Sequence, residues 1–218
     1  MTLLARGLRS WQHARLMCES PIIELASVKQ ADLLAYARSV ALGLIEEGEP
    51  EIEPPDCGDA CSGAFVALRR GSGTGCFVGS LARIPLVEAV ERAVRLAVAD
   101  PRCAPSMKRG DIEVDVWLTG SPRKVNALDE VGNSDGVLVA SGFNRATYLP
   151  GLPLIGNGPE GVLATACVCA DLHPGAWLRP GVDVQAFTAR LLACPEKQEE
   201  AGGVAGDYEN ANVESEPS

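Results

Sequence analysis

Histidine is scarce in this 218-residue chain, which has only His13 and His173. Thiol catalysis usually needs an imidazole base, so a cysteine nucleophile would find little support here. Basic residues are also few, 19 against 29 acids, for a net charge of −10. A phosphate-binding surface needs the opposite balance, which argues against nucleic acid as a partner. No apolar run approaches the ~20 residues of a membrane span. There is no internal repeat, and the eight cysteines have no regular spacing. A chain this long does not need disulfides to fold. The thiols are therefore read as reduced and mostly buried, in a cytoplasmic protein.

The clearest pattern runs from Ala64 to Leu118. Two apolar runs, 65–68 and 77–81, flank the Gly-rich turn Gly71-Ser72-Gly73-Thr74-Gly75. Glycines supply the positive φ of tight turns, so this predicts a hairpin. Leu86, Val90, Val94 and Ala97 then recur at helical spacing, with Glu88–Arg92 and Glu91–Arg95 as i,i+4 pairs, until Asp100-Pro101 stops the helix. Next, Ile112, Val114, Val116 and Leu118 alternate with Glu113, Asp115 and Trp117. That predicts a strand with one face buried. A hairpin, a helix across it and a returning strand make the nucleus of an α+β fold.

The remaining elements are arranged around this nucleus. Ser27 opens a helix whose apolar face runs from Leu33 to Ile45, and residues 49–63 form a Pro- and Gly-rich loop. Asn133-Ser134-Asp135-Gly136 is read as a turn before a strand at 137–140. Ser141-Gly142-Phe143-Asn144 closes a second hairpin with 145–149. A helix is expected at 160–170 and a last strand at 182–187. Residues 195–218 carry seven acids against one lysine and read as a disordered acidic tail. Residues 1–26 are basic: Arg6, Arg9 and Arg15 precede the first acid, Glu19, and Leu3, Leu4, Leu8 and Trp11 can share a helical face. Residues 1–18 resemble an organelle-targeting segment in composition, but the plainer reading, a flexible or loosely docked segment, is preferred. One α+β domain is expected over 27–194.

In order and spacing, FVALRR, GCFVGSL, PLVEAVERAVRLAVADPR, IEVDVWL, SDGVLV, RATYLP and HPGAW followed by VDVQAF resemble the AMMECR domain family, protein A of the AmmeMemoRadiSam system. The resemblance covers about Ala31 to Ala189. It implies a two-lobed α+β fold with an antiparallel sheet, flanking helices and a cleft between the lobes. The family's biochemical role is poorly defined. Its gene context implies a radical SAM or Memo-type dioxygenase-like protein partner. The family strand Leu-Arg-Gly-Cys-Ile-Gly corresponds here to Gly73-Thr74-Gly75-Cys76-Phe77-Val78-Gly79. A gapped match puts Cys76 on the family cysteine and Thr74 on its arginine. An ungapped match puts Phe77 on the cysteine and Gly75 on the arginine, and it sends Cys76 to the other face of the strand. In either register the arginine is lost. The helix ending Lys-Ala-Gly-Leu in the family reads Cys169-Ala170-Asp171-Leu172 here, so its lysine is lost as well. The resemblance is to a divergent member.

Cys76, after a Gly-rich turn, is the candidate nucleophile, set against its reading as a buried strand cysteine. Arg102 and Arg145 match family arginines and are either cleft groups or structural caps on carbonyls. Thr147 and Tyr148 flank Arg145, and with Phe77 and Thr74 they complete the candidate cleft. Cys57, Cys61, Cys167 and Cys169 have the wrong spacing for a zinc ribbon, and Gly71–Gly75 lacks the following Lys-Ser/Thr and helix of a phosphate loop. No metal and no cofactor are expected. Two functions fit: a binding or accessory protein, or a small-molecule enzyme or enzyme subunit using Cys76 and the cleft arginines.

Overall fold

The computed structural model describes residues 27–69, 77–102, 112–132 and 134–192. Among these are three helices and seven strands: α1 (Ser27–Ile45), β1 (Cys61–Arg69), β2 (Phe77–Pro85), α2 (Leu86–Ala99), β3 (Glu113–Thr119), β4 (Arg123–Lys124), β5 (Asp135–Ser141), β6 (Asn144–Tyr148), α3 (Gly158–Cys169) and β7 (Asp183–Leu192). The fold is mixed α and β, built on one curled antiparallel sheet of order β2-β1-β3-β7-β5-β6, with β4 also on β7.

The expected nucleus is present. β1 and β2 pair as a hairpin, Phe65 opposite Gly79. α2 buries Leu86, Val90, Val94 and Ala97, and β3 returns beside β1 with Trp117 opposite Phe65. α2 is tied to α1 through Glu91, which accepts hydrogen bonds from the Tyr36 hydroxyl at 3.2 Å and from the Arg95 guanidinium at 2.7 Å. The second hairpin closes through Gly142, with φ of +60°, between the paired Ser141 and Asn144. Glycine at the first loop position suits the twist of the flanking strands.

Alternation sorts the sheet into two faces. Ala64, Val66, Leu68, Val116, Leu118 and Leu192 pack beneath α1 and α2. Val137, Val139 and Val184 pack beneath α3. The three helices thus share one face. On the other face, Phe65, Ala67, Trp117, Leu138 and Phe187 form a third core, covered by Leu149 and flanked by Phe77, Leu81 and Leu152. β3 was expected to bury one face only, yet Trp117 is 3% exposed. The curl of the sheet closes over its indole, whose Nε1–H donates to the Pro150 carbonyl at 3.0 Å.

β7 extends five residues beyond the expected 182–187, and that extension joins the two halves. Asp183–Thr188 pairs with β5, while Ala189–Leu192 pairs with β3. Polar Thr188 and Arg190 obscured the alternation, because they face the helix side where neither helix group covers them, and both are exposed. β5 likewise starts two residues early, at Asp135. Its buried carboxylate is satisfied by Arg123 at 2.6 Å and by the Gly132 N–H at 2.9 Å, which frees its backbone to pair with Thr188. β1 starts at Cys61, within the expected loop, and β2 continues to Pro85 past an irregularity between Ser62 and Ala64.

Gly79 and Gly136 are dictated by contact. A Cβ on Gly79 would run into the Ala64 carbonyl and lie 2.5 Å from Phe65 Cα, and one on Gly136 would enter the Phe187 ring. Gly79→Ala and Gly136→Ala should each cost about 2–3 kcal/mol through overpacking. Gly48→Ala, with nothing within 4 Å of the added carbon, should stay within about 0.5 kcal/mol of wild type. Urea unfolding midpoints test the contrast.

Candidate functional site

The helix-free face is where the predicted site residues begin to gather. Residues directly opposite one another in a ladder share a face, so Thr147 opposite Leu138 and Arg145 opposite Ala140 both point there. Gln185 and Asp183, opposite the same two β5 residues, join them, and the Gln185 amide donates to the Asp183 carboxylate at 2.6 Å. Phe77 lies on this face too, at the far edge of the sheet, with its ring 6.3 Å from that of Phe65 in an edge-on contact. Between these ends the buried Phe65, Trp117 and Phe187 fill the middle of the face.

At the β1 end, Arg69 donates to the Asp115 carboxylate at 2.9 Å and lies 3.5 Å from Glu113. The hydrogen bond to Asp115 holds its guanidinium above the ordinary pKa, more firmly protonated. This arginine ends β1, and its charge is already matched. Arg145, by contrast, is exposed and makes no hydrogen bond or ion pair with the described residues.

Two predicted residues lie elsewhere. Tyr148 belongs to the opposite face, 4% exposed in the core beneath α3. Its hydroxyl donates to the Leu152 carbonyl at 3.1 Å, so it braces the segment after β6 instead of lining a cleft. The reason is register: one step along β6 from Thr147 reverses the face. Arg102 sits at the end of α2. Its Nε–H donates to Asp100 Oδ1 at 3.0 Å, and Nη2 donates to Oδ2 at 2.7 Å. It belongs to the helix stop, not beside Arg145. Cys76 and Thr74 lie outside the described residues, as do the N-terminal segment and the acidic tail.

The described cysteines are dispersed over the fold. Cys57 packs against the α1 and α2 core, while Cys167 is in the α3 core. Burial pushes both thiols up from their usual pKa, which weakens them as nucleophiles at neutral pH. Contrary to the expectation of mostly buried thiols, Cys57 and Cys61 are partly exposed and Cys169 is exposed. Cys167 and Cys169 point to different sides of α3, as residues two apart on a helix must. Among the described residues no group of three or more His, Cys, Asp or Glu side chains is placed to hold a metal. His173 instead accepts the Gly175 N–H on Nδ1 at 3.1 Å and shapes the turn into Ala176 and Trp177. No helix among the described residues is long and apolar enough to cross a membrane.

The comparison with known proteins settles the family. The AMMECR1 family profile matches residues 34–192. The chain belongs to the AMMECR1 family. Protein MJ0810 of Methanocaldococcus jannaschii is 36% identical to this AMMECR1 chain over 121 residues, which cover 50% of the chain and 60% of that protein. A protein of Aeropyrum pernix is 32% identical over 191 residues, covering 78% of the chain and 82% of its own length. The crystal structure of the uncharacterised protein PH0010 from Pyrococcus horikoshii has a TM-score of 0.59 at 28% identity, over 73% of this chain and 88% of that one. The AMMECR1 fold is therefore shared with a solved structure.

Asp183 and Gln185 were legible as the outward positions of VDVQAF, but nothing in that run alone says which neighbour they stand beside. Asp100 yields a direct prediction. Hydrogen bonds from the Arg102 side chain, then from its backbone N–H, hold this carboxyl near 2, against an ordinary 3.8. A depressed folded-state pKa contributes stability that is present above the unfolded value and is lost as pH falls through about 2. Carbon-detected NMR titration should place Asp100 near 2 and move it part of the way back toward the ordinary carboxylate range in Arg102→Ala, which removes the side-chain bonds and keeps the backbone N–H.

Proposed function

We propose that this AMMECR1 chain is a binding or accessory protein that holds a protein partner against the open end of its helix-free sheet face. The reading rests on Arg145, an exposed arginine without a described partner, on the same face as Thr147 and Gln185. An arginine presented on a rigid sheet is a strong anchor for a partner's carboxylate or backbone carbonyls. The dispersal of the described thiols and His173 supports binding over thiol chemistry, and so does the loss of the family strand's arginine from the Gly73–Gly79 motif. The family resemblance nominates a radical SAM or Memo-type protein as the partner.

Purified radical SAM and Memo-type proteins from the same source as this chain should be titrated against it by calorimetry. One of them should bind, and Arg145→Glu should weaken binding by about 30-fold or more, the loss typical of a central arginine, with the melting temperature unchanged. Cys76→Ala should bind within about twofold of wild type, as expected of a residue outside the contact. Binding that survives Arg145→Glu overturns the face assignment. An activity abolished by Cys76→Ala overturns the accessory reading and favours the enzyme.

A further inference from the structure

Phenylalanine occurs four times in the chain, and three of the rings share one core: Phe65 and Phe187 are buried there, and Phe77 packs against them. Phe143 is the exception. It is 106% exposed, at the tip of the β5–β6 hairpin, where turns ordinarily carry Gly, Asn, Asp or Ser. An aromatic ring is among the largest apolar surfaces a side chain can offer, and here all of it faces water.

The tip is held in place. Ser141 pairs with Asn144, and of the two residues between them only Gly142 has a positive φ, +60°. That is the pattern of a two-residue type II′ loop. The Asn144 side-chain amide donates to the Asp171 carbonyl at 3.4 Å, which ties the tip to the segment that ends α3. The ring therefore projects from a fixed backbone, and little freedom remains to be lost when something binds it.

Arg145 follows two residues later, at most about 7 Å along the chain. It lies opposite Ala140 on the helix-free face and is exposed as well. Aromatic residues and arginine are enriched at protein interfaces, whereas Lys, Glu and Asp are depleted there. A ring and a guanidinium at one end of a rigid hairpin thus make a compact docking point for a protein. A membrane fits the same ring less well, because the net charge of −10 is repelled by anionic headgroups.

We infer that Phe143 is the apolar anchor for the partner of the sheet face, and that this partner presents a phenyl-sized apolar pocket with a carboxylate at its lip for Arg145. The inference rests on the reading of the helix-free face given above and deepens it. The hairpin tip enters the partner, while the guanidinium beside it fixes the orientation. The pocket supplies the apolar burial that the fold denies this ring.

Calorimetric titration of the full-length protein against the radical SAM and Memo-type proteins tests it. Phe143→Ser should weaken binding by about 30-fold or more, as loss of an interface anchor does. Its melting temperature should stay at the wild-type value, since the ring is fully exposed. Phe143→Leu, which keeps an apolar side chain, should lose less. In about 1 M salt, where charges are screened beyond about 3 Å, the loss in Phe143→Ser should persist and that in Arg145→Glu should shrink. A Phe143→Ser loss that vanishes in high salt overturns the apolar pocket. Wild-type binding by Phe143→Ser, with Arg145→Glu still impaired, overturns the inference and leaves the reading of the face standing. Binding that survives Arg145→Glu, or no binding of either protein, overturns that reading and the anchor with it. Co-sedimentation with phosphatidylcholine–phosphatidylserine vesicles that Phe143→Ser abolishes assigns the ring to a membrane, and a dimer that Phe143→Ser dissociates assigns it to a second copy. Either result overturns the inference.

Discussion

Phe187 lies flat over Gly136, and the rest of the structure depends on that contact. The ring is fully buried and contributes about 2–3 kcal/mol by burial alone. It can sit there only because residue 136 has no Cβ to meet it. Just beyond it, between Thr188 and Ala189, pairing on β7 passes from β5 to β3. One long strand therefore belongs to both halves of the sheet, and its buried ring forms the floor of the core between them.

The proposed binding face follows from that geometry. The helices occupy one side of the sheet, so the other side must find its own cover. Phe65, Trp117, Leu138 and Phe187 bury one another under Leu149, and the Trp117–Pro150 hydrogen bond closes the curl. Past this seal the same face remains open, and there Arg145, Thr147 and Gln185 stand on rigid paired strands. A site on strands is held more firmly than one on loops, so a partner would meet these groups already in place.

Much of this architecture was legible in the sequence because local signals agreed. The β1–β2 hairpin, α2 and β3 each carried a period and a stop, and the Gly142 turn carried its own glycine. The sheet's second buried face was harder to read. Trp117 shares its face of the alternation with Glu113 and Asp115, so the pattern marked it polar-side, and only the long-range curl buries it. The C-terminal half of β7 was missed because Thr188 and Arg190 fill positions exposed in the gap between helix groups. Of the candidate site, Thr147 and Tyr148 were read as one edge, whereas β-strand alternation divides them between the helix-free face and the α3 core. Arg102 and Arg145 were paired by resemblance, but Asp100 claims the first within its own turn.

The central claim is that β7, anchored by Phe187, makes the two halves of the AMMECR1 fold one cooperative body. Amide exchange in Phe187→Leu tests it most directly. A substitution costing about 1.4 kcal/mol should speed exchange about tenfold, and by the same factor, in β1 and in α3. Acceleration confined to α3, with β1 unchanged, would contradict the account.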